Sequence, residues 1–145
     1  MGASRQPMGK LYTSNLPGLK KLNTDADRLL ITRAGAEISN VEVVRALSPS
    51  ADLFHTIWNK RKELTDNSWW PEYERRFKQE LTSEEKLHAL RDVYKRLLRG
   101  QNVVLICFCK DHRYCHRRLV GQFFAQYGVE AEELNPITVE QLELF

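Results

Sequence analysis

All three cysteines of the chain lie in one stretch, Cys107, Cys109 and Cys115, and His116, Arg117 and Arg118 follow directly, with His112 and Arg113 just before. Thiols, an imidazole and guanidinium groups this close together support four kinds of chemistry. Zinc is the first, because cysteine and histidine are its preferred ligands. The spacing argues against it. On an extended strand Cys107 and Cys109 would stand about 6–7 Å apart on one face, and no second Cys-x-x-Cys knuckle follows. The second is a thiolate nucleophile. Cys107 and Arg113 have the Cys, five residues, Arg spacing of an oxyanion-wrapping loop, but the residues between them include no glycine to let successive backbone N–H groups turn inward. Cys115 is the better candidate thiol, since a position at a helix start beside Arg113, His116, Arg117 and Arg118 favours the thiolate. The alternative for Cys115 is packing under the loop as a small hydrophobe. The third is an anion pocket in which Arg117 or Arg118 offers a bidentate fork and His116 one hydrogen bond. Against it, adjacent helical residues cannot point the same way, so some of these arginines belong on a solvated face. The fourth is a nucleic-acid surface, in which the same arginines join Lys60, Arg61, Lys62, Arg75 and Arg76.

These side chains need a strand and a helix to position them. Val103 to Phe108 is an unbroken run of strand formers, the pattern of a strand buried on both faces of a parallel sheet. From His116, the residues Leu119, Val120, Phe123, Phe124 and Tyr127 recur at helical spacing and Gly128 stops the run. The segment therefore reads strand, short basic loop, helix, and the unpaired N–H groups of the helix start welcome an anion. Further strands are expected over Lys10–Ser14, closed by the turn signal Asn15–Gly18, over Asp27–Thr32, and over Val129–Leu134 at the exposed edge of the sheet. Ser14 and Arg33 then stand at C-terminal strand ends, where open α/β sheets bind ligands. The run Val41–Val44 fits either a short edge strand or an extended connection.

Helices are expected from Ser48 or Ser50 to about Leu64, from a Ser68 cap through the stripe Trp70, Tyr73, Phe77 and Leu81, and from a Thr82–Glu85 capping box to Gly100. Trp58, Trp69, Trp70 and Tyr73 invite a base-stacking interpretation, but aromatic stripes at helical spacing are more often core. A short last helix over Thr138–Phe145 buries Val139, Leu142 and Phe145.

With 145 residues, 42% of them hydrophobic, the chain has enough material for one α/β domain over 10–145 behind a flexible lead-in, 1–9. A net charge of +3 permits a local basic patch and argues against coating nucleic acid by bulk charge. No apolar run has the length of a membrane span, and the first ten residues lack the apolar core of a secretory signal. The chain reads as cytoplasmic, and three cysteines, an odd number, point to free thiols or a metal site before disulfides.

Cys107-Phe108-Cys109 followed by Cys115-His116-Arg117 resembles the uncharacterised family catalogued as domain of unknown function 488, whose mark is an apolar strand ending in Cys and then Cys-His-Arg opening a helix. Tyr12-Thr13-Ser14, the strand ending at Arg33, the Ser48-Pro49-Ser50 helix start, the helix with Trp70 and Tyr73, and Gly128-Val129-Glu130 are similar to the shorter members of that family. The resemblance implies a compact three-layer α/β fold and a shared pocket of Cys107, Cys115, His116, Arg117, Arg33 and Tyr73. Many members carry Glu where this chain has Cys109, so a general-base role for that carboxylate does not carry over. The resemblance implies no reaction.

The expectation is a single three-layer α/β domain with a mostly parallel sheet of four or five strands flanked by helices. It binds, and in its enzymatic version processes, a phosphate-bearing nucleotide or nucleic-acid-derived ligand at the C-terminal edge of the sheet. Cys115 and His116 are the candidate catalytic pair. Arg117, Arg113, Arg33, Cys107, Tyr73 and Ser14 are the candidate ligand contacts, with no metal, no cofactor and no membrane partner. The alternatives are a non-catalytic nucleic-acid-binding module and, further off, a zinc-binding structural domain.

Overall fold

A computed structural model describes residues 9–33, 38–64 and 66–137. The strands are β1 (Leu11–Ser14), β2 (Asp27–Leu30), β3 (Glu42–Val43), β4 (Val103–Ile106) and β5 (Glu132–Glu133), and the helices α1 (Ala51–Glu63), α2 (Trp70–Glu80), α3 (Glu84–Leu98) and α4 (His116–Phe123). The strands form one sheet in the order β3-β2-β4-β1-β5, and every pairing is parallel. This is an α/β fold.

The unbroken apolar run of β4 is explained by its place in the middle of the sheet. Val103 and Leu105 face the large cluster built by α1 to α4, while Val104 and Ile106 face a smaller one with Tyr12, Leu30 and Leu134. The two outer layers are unequal. All four α-helices feed the first cluster, whereas the opposite face is packed by Leu16, Leu19 and Leu22 around the 3₁₀ turn Pro17–Lys21. The short VEVV segment resolves as an edge strand, with β3 on β2, and β5 forms the other edge on β1. Register sets the site: Ile106 pairs with Ser14 on one side and Leu30 on the other, so three strands end in one line.

The stripe Trp70, Tyr73, Phe77 and Leu81 is buried as its spacing requires, but the caps differ from expectation. α2 starts without a side-chain cap at Trp69, because the Ser68 backbone N–H is drawn into a local turn with the Asp66 carboxylate. α3 is capped by Ser83, since the Thr82 hydroxyl turns back to donate to the Gln79 carbonyl. Ser50 caps α1 by accepting from the Leu53 N–H and also donates to Glu80, tying the start of α1 to the end of α2. Ser50→Ala is therefore expected to cost about 1–2 kcal/mol, measured as a lower urea midpoint. An unchanged midpoint would show that neither bond matters. Of the lead-in expected over 1–9, residues 1–8 lie outside the described residues, as does the expected helix over 138–145, whereas Gly9 is held by its N–H donating to the Leu97 carbonyl. Among the described residues no helix is long and apolar enough to cross a membrane.

Candidate functional site

The backbone leaves β4 in order, with the Cys107 N–H still bonded to the Ser14 carbonyl. Phe108 then swings outward to 47% exposure and the chain curls back at Cys109. That curl corrects the argument from spacing: the Cys107 and Cys109 sulfurs are 3.8 Å apart, well inside the separation of an extended strand. A 3₁₀ turn over His112–Tyr114, capped by the Asp111 carboxylate, returns the chain to Cys115 at the start of α4. The three sulfurs all lie within 4.8 Å of one another.

His116, the first residue of α4, is buried. Its Nε2 sits 2.5 Å from the carbonyl oxygen of Ile31, just past the end of β2. A carbonyl only accepts, so the ring hydrogen is on Nε2 and the Nδ1 lone pair is directed at the Cys107 sulfur, 3.7 Å away. The ring packs in a T-shaped contact with Phe77, 5.5 Å between centroids. Burial holds the imidazole below its ordinary pKa, against the weaker opposing pull of the Ile31 bond, so it is neutral at pH 7.

Arg117 takes a different role from the one expected. Its side chain has 0% exposure, and its fork closes on Glu133, with Nε donating to Oε1 at 2.9 Å and Nη2 to Oε2 at 3.1 Å. Nη1 donates to the Cys109 carbonyl at 2.8 Å and reaches the Cys115 sulfur at 3.7 Å. The guanidinium is a strut joining α4, the thiol loop and β5, and its donors are committed. Arg113 is likewise closed on a carboxylate, with its Nε and Nη2 on Asp111 at 3.0 and 2.8 Å. Ser14 is fully buried and donates to the Asn15 carbonyl beneath Gly18, away from the cavity wall. Its neighbour Asn15 does the positioning: it donates to the Cys109 carbonyl and accepts from the Gly18 N–H and from Asn135.

Cys107, Cys109, Cys115 and His116 line a cavity of about 610 Å³. Arg33 and Tyr73 also line it. The cavity is also lined by residues outside the expected site: Phe54, Trp58 and Arg61 of α1, with Trp69 and Tyr114. Phe54 and Trp58 stack at 6.0 Å and are 39% and 46% exposed, while Leu53 and Ile57 take the buried face of the same helix. The α1 aromatics thus sit beside the core and not in it. The Arg61 guanidinium lies 4.6 Å over the Trp69 ring.

Hydrogen bonds from the Cys109 and Cys115 thiols, with a further contribution from the Arg117 charge, hold the Cys107 thiol well below its ordinary pKa. Burial, reinforced by its thiol neighbours, pushes Cys115 well above it. This reverses the expectation for Cys115. The arginines meant to acidify it are neutralised by Glu133 and Asp111, and the residue is buried. Burial also raises the Tyr73 phenol, which stays protonated. The missed residues have different signals. Asp111 was readable as an acidic neighbour two positions from Arg113, whereas nothing local marks Glu133 or the Ile31 carbonyl.

Fold and site together define an α/β protein whose cluster of thiols and an imidazole sits where the parallel strands end, at the start of a helix that follows the central strand. A family model described as the active DUF488-N3 subclade matches residues 11–128, and the chain belongs to that family. No curated protein and no solved structure matches it.

Proposed function

We propose that the cavity binds and processes a phosphate-bearing nucleotide or nucleic-acid-derived ligand. The base lies among Phe54, Trp58 and Trp69, the phosphate turns toward Arg33 and Arg61, and the reacting atom faces Cys107 and His116. The observation that carries this reading is the make-up of the wall: flat aromatic surface and two guanidiniums line the same cavity as a cluster of thiols and an imidazole. Neither Arg33 nor Arg61 forms an ion pair or hydrogen bond among the described residues, in contrast to Arg113 and Arg117. A flat π-system finds stacking partners here, and an anion finds charge that is not already neutralised. The arrangement belongs in a reducing, cytoplasmic setting, where three unbridged thiols persist.

Two tryptophans in the wall make the test direct. Titrating the protein with mononucleotides and with short single strands should change tryptophan fluorescence saturably, at low and at raised salt. Trp58→Ala is expected to remove about 1–3 kcal/mol of stacking, roughly 5- to 150-fold in affinity. Arg61→Ala and Arg33→Ala should weaken binding and flatten its salt dependence. No saturable response to any of these ligands would refute the reading. Steep salt dependence with oligonucleotides, no response to mononucleotides and no turnover would replace it with a non-catalytic nucleic-acid-binding module.

A further inference from the structure

We infer that Cys107, Cys109, Cys115 and the Nδ1 atom of His116 form a binding site for one zinc ion in the wall of the cavity. The inference does not depend on the nucleotide reading and concerns different atoms from those that would hold the base and phosphate.

Geometry carries it. With Zn–S bonds of about 2.3 Å and Zn–N bonds of about 2.05 Å, tetrahedral angles place two sulfurs about 3.8 Å apart and a sulfur and a nitrogen about 3.6 Å apart. The Cys107 and Cys109 sulfurs are 3.8 Å apart, and the Cys107 sulfur and His116 Nδ1 are 3.7 Å apart. Cys115 completes the group, with the three sulfurs all within 4.8 Å. The donor set is also the right kind, since thiolates with an imidazole select zinc over the hard, oxygen-seeking cations.

The surroundings are those of a ligand cluster. A histidine bound to metal through one nitrogen usually gives the hydrogen of the other to a carbonyl or carboxylate, which fixes the ring and its tautomer. His116 already does so: Nε2 is held on the Ile31 carbonyl, leaving the Nδ1 lone pair aimed at the Cys107 sulfur. Three thiolates around a divalent ion are strong hydrogen-bond acceptors, and Arg117 aims an N–H at the Cys115 sulfur at 3.7 Å. All four ligands line the cavity, so an ion has a route in. Binding requires that each coordinating thiol release its proton to solvent, with no change in the oxidation state of sulfur or metal.

The test uses the full chain, purified without an affinity tag of histidines and without chelator. Metal analysis should find close to one zinc per chain. Replacing it with Co²⁺ should produce the visible absorption of a tetrahedral site together with a sulfur-to-cobalt charge-transfer band in the near ultraviolet. Cys109→Ser and Cys115→Ser should each lower zinc affinity at least tenfold and weaken that band. Because either variant can fail to fold, the cobalt spectrum of the unaltered protein decides by itself. The site is disproved if that protein takes up neither ion, if Co²⁺ binds without the charge-transfer band, or if two of the three cysteines are found joined in a disulfide after purification under reducing conditions. Nucleotide titrations of the same preparation separate the outcomes: zinc without nucleotide binding overturns only the ligand reading, and nucleotide binding without zinc overturns only the metal site.

Discussion

Replacing Arg117 with alanine should destabilise the protein by about 3–5 kcal/mol, the range for breaking a buried ion pair from one side. The pair is fully enclosed on the arginine side, with 0% exposure against 12% for the Glu133 side chain. Removing the guanidinium leaves Glu133 with hydrogen bonds from the Thr13 hydroxyl and the Asn135 N–H but no cation, in a place water reaches poorly. The Cys109 carbonyl loses its 2.8 Å donor as well, so the thiol loop loosens at the same time. The cause is the stranded carboxylate more than the loss of an attraction, and this gives a second expectation. Arg117→Met combined with Glu133→Gln should recover much of the loss, because an uncharged pair avoids burying an unpaired charge. Urea denaturation of the single and double variants checks both statements. An Arg117→Ala protein within about 1 kcal/mol of the parent would mean that Glu133 is reached by solvent and that the strut carries little.

Phe77→Ala is expected to cost about 3–5 kcal/mol, as for other fully buried phenylalanines. Phe77 has 0% exposure, lies parallel to Tyr73 at 6.1 Å and packs in a T-shaped contact with the His116 ring at 5.5 Å. Its loss opens a void between α2 and α4, next to the imidazole that must keep Nδ1 turned to Cys107. Leu97→Ala is the control: it is equally buried, sits on α3, and makes a cavity elsewhere in the same core. Both variants should unfold at lower urea, but only Phe77→Ala should also weaken the capture of Co²⁺ by the thiol cluster, when compared under conditions where both are folded. Equal effects on metal capture would show that Phe77 contributes core volume alone and does not hold the imidazole in place.

Much of this molecule was legible from short-range physics. The continuous run from Val103 announced a strand buried on both faces, the stripe from Trp70 to Leu81 a buried helix face, and the left-handed glycine at Gly128, φ 81°, the end of the helical segment after His116. Each follows from residue types a few positions apart, which is the range over which periodicity and capping act. Tertiary structure decided what those elements bring together. Arg117 finds Glu133 because β5 docks beside β1, and His116 finds the Ile31 carbonyl because β2 runs next to β4. Strand order of this kind leaves no trace in a hydrophobic pattern, since every buried strand satisfies its own pattern wherever it is placed. The same holds for the cysteines. Their types and order indicated soft ligands, but an outward turn of one phenylalanine and the return of a 3₁₀ loop set their sulfurs a few ångströms apart, and both depend on what the rest of the sheet leaves room for.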